Sequence, residues 1–211
     1  DNEEPFITIN GASFDSQSTD DAVYEGYLYL DDWGIEGWGT EILRGSHTFN
    51  SDNELGLIVV HAGINTFEVN QDNAFVLLNG GFNTLHGSQD DTWFVLDGGE
   101  NIVHDENGLD FFEVYEGINQ INGGDGGDWF VLDGGNNLVD GENGQDKVDI
   151  SAGNNTVNGG NGHDWVVASG GSNTVNGHNG NDSILIRGGN NSVNGGNGRD
   201  IFHIYGGQNA V

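Results

Sequence analysis

Glycines stand at positions 45, 63, 81, 99, 117, 135, 153, 171, 189 and 207, every interval being 18 residues. Two residues after each comes an asparagine, from Asn65 to Asn209, with His47 as the first-turn exception. Two further on stands an apolar residue: Phe49, Phe67, Leu85, Val103, Ile121, Val139, Val157, Val175, Val193 and Val211. A second element is offset by half a period, in GGDGGDWFV (123–131), GENGQDKVD (141–149), GGNGHDWVV (159–167), GHNGNDSIL (177–185) and GGNGRDIFH (195–203), with a looser copy, DENGLDFFE, at 105–113. The apolar runs are short, β-branched or aromatic and bounded by Gly and Asn, which reads as strand. A hairpin meander gives no reason for an identical unit every 18 residues. A coil with two short strands and two turns per period does, because each turn stacks on the last and like residues sit above like at ~4.8 Å. Alternation places Phe94, Phe112, Phe130, Val148, Val166, Ile184 and Phe202 inside, with Leu96, Val114, Leu132, Ile150, Ala168, Ile186 and Ile204. Val139, Val157, Val175 and Val193 fill the core from the opposite sheet.

The charge needs an explanation on this scaffold. The 211-residue chain has 34 Asp and Glu against 4 Lys and Arg, a formal net charge of −30. That excludes a nucleic-acid partner, which needs basic residues at the phosphates, and docking on an anionic bilayer. Cysteine is absent, so disulfides, thiol nucleophiles and Cys-zinc sites are excluded. No apolar run approaches the ~18 residues of a membrane-spanning helix. The chain opens at Asp1 without an initiator Met or a basic leader, which reads as a processed or excised chain, and it stops in mid-repeat, which reads as continuing beyond Val211. No nucleophile–base set, P-loop or dinucleotide fingerprint is present, so no enzyme activity is expected. So many acids on one narrow body repel each other, and cations are the natural counterweight.

Three of the nonapeptides match G-G-x-G-x-D-x-U-x without a miss. The chain thereby resembles the RTX (repeats-in-toxin) family of secreted bacterial proteins. The resemblance implies an all-β fold, a right-handed parallel β-roll. It also implies calcium held between successive turns by Asp carboxylates and turn carbonyls. Carried over residue by residue, the carboxylates are Asp110, Asp128, Asp146, Asp164, Asp182 and Asp200. The carbonyls belong to turn glycines: Gly108, Gly124, Gly126, Gly144, Gly160, Gly162, Gly180, Gly196 and Gly198. A further row, Asn107, Asp125, Asn143, Asn161, Asn179 and Asn197, is placed to add side-chain oxygens. Calcium takes six to eight hard oxygens, and six stacked turns enclose five gaps, so about five ions on one edge are expected.

The other edge departs from the family by carrying Asn in place of Asp, and an asparagine ladder is expected there. The chain divides into 1–44, a segment of short irregular strands capping the coil, 45–104, turns with few or no calcium sites, and 105–211, the calcium-binding roll. Leu57, Phe75, Trp93, Phe111, Trp129, Lys147, Trp165, Ser183 and Ile201 form an outward row beside Val59, Leu77, Val95, Val131, Val167 and Leu185. So much outward apolar surface implies a cover, from residues 1–44 or a second copy in a homodimer, or an aromatic platform for polysaccharide or a cell surface. His86 and His104 are stacked neighbours with no third ligand fixed by spacing. The leading reading is a calcium-binding module of a larger secreted protein, folding and stiffening on extracellular calcium. The alternatives are an adhesive module and the accessory domain of a secreted enzyme.

Overall fold

The structure, a computed structural model, describes residues 57–69 and 74–211, together with the backbone pairing of the strands Ala22–Leu30, Ile35–Arg44 and Ser46–Asn50. Among the described residues there is no helix, and so none that is long and apolar enough to cross a membrane. The fold is a parallel β-solenoid of 18 residues per turn. One sheet pairs Phe111 with Trp129, Trp129 with Lys147, Lys147 with Trp165, Trp165 with Ser183 and Ser183 with Ile201. The other pairs Asn119 with Asn137 and continues through Asn155, Asn173 and Asn191 to Asn209. A third, two-residue ladder joins the turns through Asn107–Gly108, Asp125–Gly126 and Asn143–Gly144, continuing to 161–162 and 179–180, in addition to the two strands expected per turn.

The register reaches further toward the amino terminus than the glycine period. Gly39 to Ile42 pair in parallel with Leu57 to Val60, again 18 residues on. The same strand, Ile35–Arg44, pairs antiparallel with Ala22–Leu30, so the sheet runs into a hairpin. What the side chains of 1–44 cover lies outside the described residues.

The inward rows are the core. Phe94, Phe112 and Phe130 stack in parallel, with ring centroids 4.8 Å apart and interplanar angles of 7° and 8°. Val148, Val166 and Ile184 continue the row, and Val139, Val157, Val175 and Val193 close it from the opposite sheet, all buried. At the carboxy-terminal end of the described residues the row continues with Phe202, partly buried, and Ile204, which is exposed. The outward row divides. Leu57, Val59, Phe75, Leu77 and Val95 are buried in a second cluster with Trp93 against it, whereas Trp129 and Trp165 are exposed.

The asparagine ladder forms as expected. From Asn65 to Asn191, each Nδ2 donates to Oδ1 of the asparagine one turn on, at 2.7–2.9 Å. Each also donates to the carbonyl three residues before it, as Asn137 does to Gly134 at 2.8 Å. An amide carries both donor and acceptor, so a buried stack satisfies itself. Asn137→Ala removes the acceptor of Asn119 and the donor to Asn155, and is expected to lower stability by roughly 3 kcal/mol in denaturant unfolding. Asn154→Ala, in an exposed amide pair with Asn136, should change it by less than about 0.5 kcal/mol.

Candidate metal centre

Each nonapeptide turn is shaped by two glycine positions. In the turns from 123 onward the second residue is left-handed, at φ 93° in Gly124, 105° in Gly160 and 92° in Gly196, whereas Glu106 in the 105–113 turn is not. Glu142 and His178 occupy the same place as non-glycines and keep the same backbone, at φ 68° and 70°. The fourth residue sits directly on the carbonyl of its counterpart one turn earlier: a Cβ on Gly126, Gly144, Gly162, Gly180 or Gly198 would collide with the carbonyl oxygen of Gly108, Gly126, Gly144, Gly162 or Gly180. Only glycine permits turns to stack this closely.

The turn delivers the aspartate into the interior. Asp110, Asp128, Asp146, Asp164 and Asp182 are each no more than 2% exposed. Oδ1 of every member accepts the backbone N–H of the residue one turn earlier: Asp110 from Thr92 (2.7 Å), Asp128 from Asp110 (2.9 Å), Asp146 from Asp128 (2.8 Å), Asp164 from Asp146 (3.0 Å), Asp182 from Asp164 (2.9 Å) and Asp200 from Asp182 (3.0 Å). Oδ2 of Asp110, Asp128, Asp146, Asp164 and Asp182 is buried with no hydrogen-bond partner. One oxygen of each carboxylate therefore locks the register and the other is left over. Burial pushes the Asp128 carboxyl up to about 8, Asp146 to about 7 and Asp164 to about 6, and it raises Asp110 and Asp182. Neighbouring carboxylates of the stack add to the rise, while the hydrogen bond at Oδ1 opposes it.

These residues fit a hard cation. The unpaired oxygens are desolvated and repeated at one per turn, and their ionised form, a buried charge, requires a counter-charge. Each faces a cradle that a side chain would fill. A Cβ on Gly141 would meet Oδ2 of Asp146 and, at 2.5 Å, the carbonyl oxygen of Gly159. On Gly177 it would meet Oδ2 of Asp182 and, at 2.5 Å, the carbonyl of Gly195. Gly123, Gly159 and Gly195 lie likewise against Asp128, Asp164 and Asp200. The donors are all oxygen, the chemistry of calcium rather than of a softer metal. Among the described residues no three carboxylates or histidines gather at one point, so each place offers at most two carboxylates and backbone carbonyls must complete the set. His86 and His104 stack at 5.7 Å without a third ligand.

The remaining sequence-named residues divide in two. Asn143, Asn161, Asn179 and Asn197 form a second, exposed amide ladder, each Nδ2 donating one turn back at 2.6–2.8 Å, the first of them to Asp125. The Gly124 carbonyl accepts the Asn143 N–H at 3.1 Å, as Glu106, Glu142 and His178 do for the same position of their neighbouring turns. The first glycine of the turns from 123 onward, which lies against the second carboxylate oxygen of the aspartate five residues on, was not singled out by sequence reasoning. Its invariance at 123, 141, 159, 177 and 195 was the available signal.

The family model described as RTX calcium-binding nonapeptide repeat (4 copies) matches residues 114–148, 149–184 and 187–209. No curated protein and no solved structure matches the chain.

Raised carboxyl pKa values fix the pH dependence of the metal-free chain. The folded form binds protons that the unfolded form, with carboxyls near 3.8, has already released. The stabilisation is complete below pH ~4 and is lost as pH rises through about 6 to 8. Circular dichroism on chelator-treated, dialysed protein should show β structure that is best retained near pH 4 and declines as pH rises to 8. A flat or rising profile contradicts the buried row.

Proposed function

We propose that this calcium-binding β-roll module, an RTX-repeat chain by its sequence and its fold, is a part of a larger secreted protein that folds and stiffens on meeting extracellular calcium. The observation that carries the reading is the row of buried carboxylate oxygens left without partners, one per turn. Asp110, Asp128, Asp146, Asp164, Asp182 and Asp200 would hold the ions with carbonyls of the turn glycines, about five ions in the gaps of a six-membered row. When bound, calcium supplies positive charge and several oxygen bonds that tie one turn to the next. The chain itself contributes the spacing. The Oδ1 hydrogen bonds set each carboxylate against the adjacent turn, and the glycines keep side chains out of the cradle. Without the ions, stacked carboxylates in a narrow core oppose folding together with chain entropy. Family resemblance adds export in an unfolded form from a low-calcium cytosol by a type I system.

Calcium removal should abolish most of the β-type circular dichroism arising beyond residue 105, and calcium addition should restore it. Asp146→Asn keeps the oxygen that accepts the Asp128 N–H but removes the charge, and is expected to bind at least one ion fewer and to need more calcium for folding. A melting temperature unchanged by chelator would defeat the proposal.

A second reading, an adhesive surface for a sugar chain, rests on the exposure of Trp129 and Trp165 at 42% and 53%. Lys147 stands between them in register, with Nζ 3.7 Å from the Trp129 ring centroid and 2.7 Å from Asp149. Asp149 also accepts from Trp129 Nε1 at 3.2 Å. Aromatic faces flanked by hydrogen-bonding groups suit sugar rings, and the same exposed pair would serve a homodimer. Addition of polysaccharide should shift the tryptophan fluorescence, and Trp165→Ala should reduce the shift; dimerisation would appear instead as concentration-dependent mass.

A further inference from the structure

The first nonapeptide, at 105–113, departs from the rest at its first position. Asp105 stands where Gly123, Gly141, Gly159, Gly177 and Gly195 stand in the later turns. The turn before it departs in the opposite way, with Gly87 in the first position but Thr92 in the sixth, where a carboxylate is due. The two departures meet in space. In the later turns the cradle beside the first glycine holds Oδ2 of the aspartate five residues on. Beside Gly87 it holds the carboxylate of Asp105 instead: a Cβ on Gly87 would collide with Oδ1 and Cγ of Asp105 and lie 2.9 Å from Oδ2. Asp105 thus reaches back one turn and fills the place that Thr92 cannot.

The place is filled by a carboxylate buried like those of the row, but Oδ1 rather than Oδ2 lies nearest the glycine, and its hydrogen bond is to the adjacent residue rather than across a turn. Asp105 is 7% exposed and Asp110 1%. Oδ1 of Asp105 accepts the Glu106 N–H at 3.0 Å, and Oδ1 of Asp110 accepts the Thr92 N–H at 2.7 Å. Oδ2 of each is buried without a partner. We infer that Asp105 and Asp110 form a two-carboxylate calcium site that extends the row by one turn, into the gap between 87–104 and 105–122. Both residues lie amino-terminal to the matched repeats at 114–209, and Asp105 is outside the motif's register. The inference rests on the reading of the aspartate row as calcium ligands, and its test separates the two.

The test counts ions on the full chain at saturating calcium by native mass spectrometry. The proteins are the parent, Asp105→Asn, Asp105→Gly and Asp146→Asn. Asp105→Gly installs the residue that five other turns already carry there, so it keeps the fold available. Both Asp105 variants are expected to hold one ion fewer than the parent, with unchanged circular dichroism. Adding Thr92→Asp to Asp105→Gly, which rebuilds the later turns' arrangement, is expected to return the lost ion. If both Asp105 variants hold the parent's number while Asp146→Asn holds fewer, the inference is overturned and the row stands. If Asp146→Asn also holds the parent's number, the reading of the row itself fails and the inference with it.

Discussion

Everything in this molecule depends on a constant stacking interval. Partners in both sheets are 18 residues apart, so each side chain meets a near-copy of itself above and below. A residue type then succeeds or fails by whether it tolerates its own company. Phenylalanine does, stacking ring on ring inside the coil. Asparagine does better, because an amide donates to the next amide and accepts from the last. Aspartate does not. A carboxylate has only acceptors, so one oxygen can be satisfied by a backbone N–H of the adjacent turn and the other cannot be satisfied by its own kind. The two edges are therefore chemically opposite solutions to one geometry. The amide edge closes on itself, and the acid edge needs a cation from outside.

The arrangement gives each charged residue a defined cost. Burial raises the carboxyl pKa values, and the stack adds repulsion from above and below. Six acids among the described residues, Asp105, Asp110, Asp128, Asp146, Asp164 and Asp182, are committed in this way, while others such as Glu100, Asp125 and Asp133 are exposed to water that screens them. The charge of the described residues is thus divided between a buried row with one unpaired oxygen per turn and an exposed part in contact with water.

Much of this was legible in the sequence, because period and alternation are local properties. The strands, the inward rows, the asparagine ladder and the aspartate edge all follow from residue type and spacing. What escaped the sequence depends on contact between turns. Asp105 looks like a flaw in the first repeat until its carboxylate is seen against Gly87. The first glycine of the turn looks like a bending residue, yet it adjoins the unpaired oxygen of Asp146 or Asp182. Glu142 and His178 look like breaks in the glycine pair, but their backbone keeps the left-handed conformation of Gly124, Gly160 and Gly196. The outward aromatic row looks uniform along the chain, and it is buried at Phe75 but open at Trp129.

The exposed amide ladder from Asn143 to Asn197 has a mechanical side as well. Its bonds run along the rod, as do the buried amide bonds, the Oδ1 bonds and the strand ladders. A pull on the two ends loads every one of these rows in parallel at a single turn boundary. The boundaries themselves are loaded in series. Such a rod would resist stretching until one terminal turn lets go, and then release about 60 Å of chain per turn. Its extension under force would be a staircase, with the height of each step set by the 18-residue period.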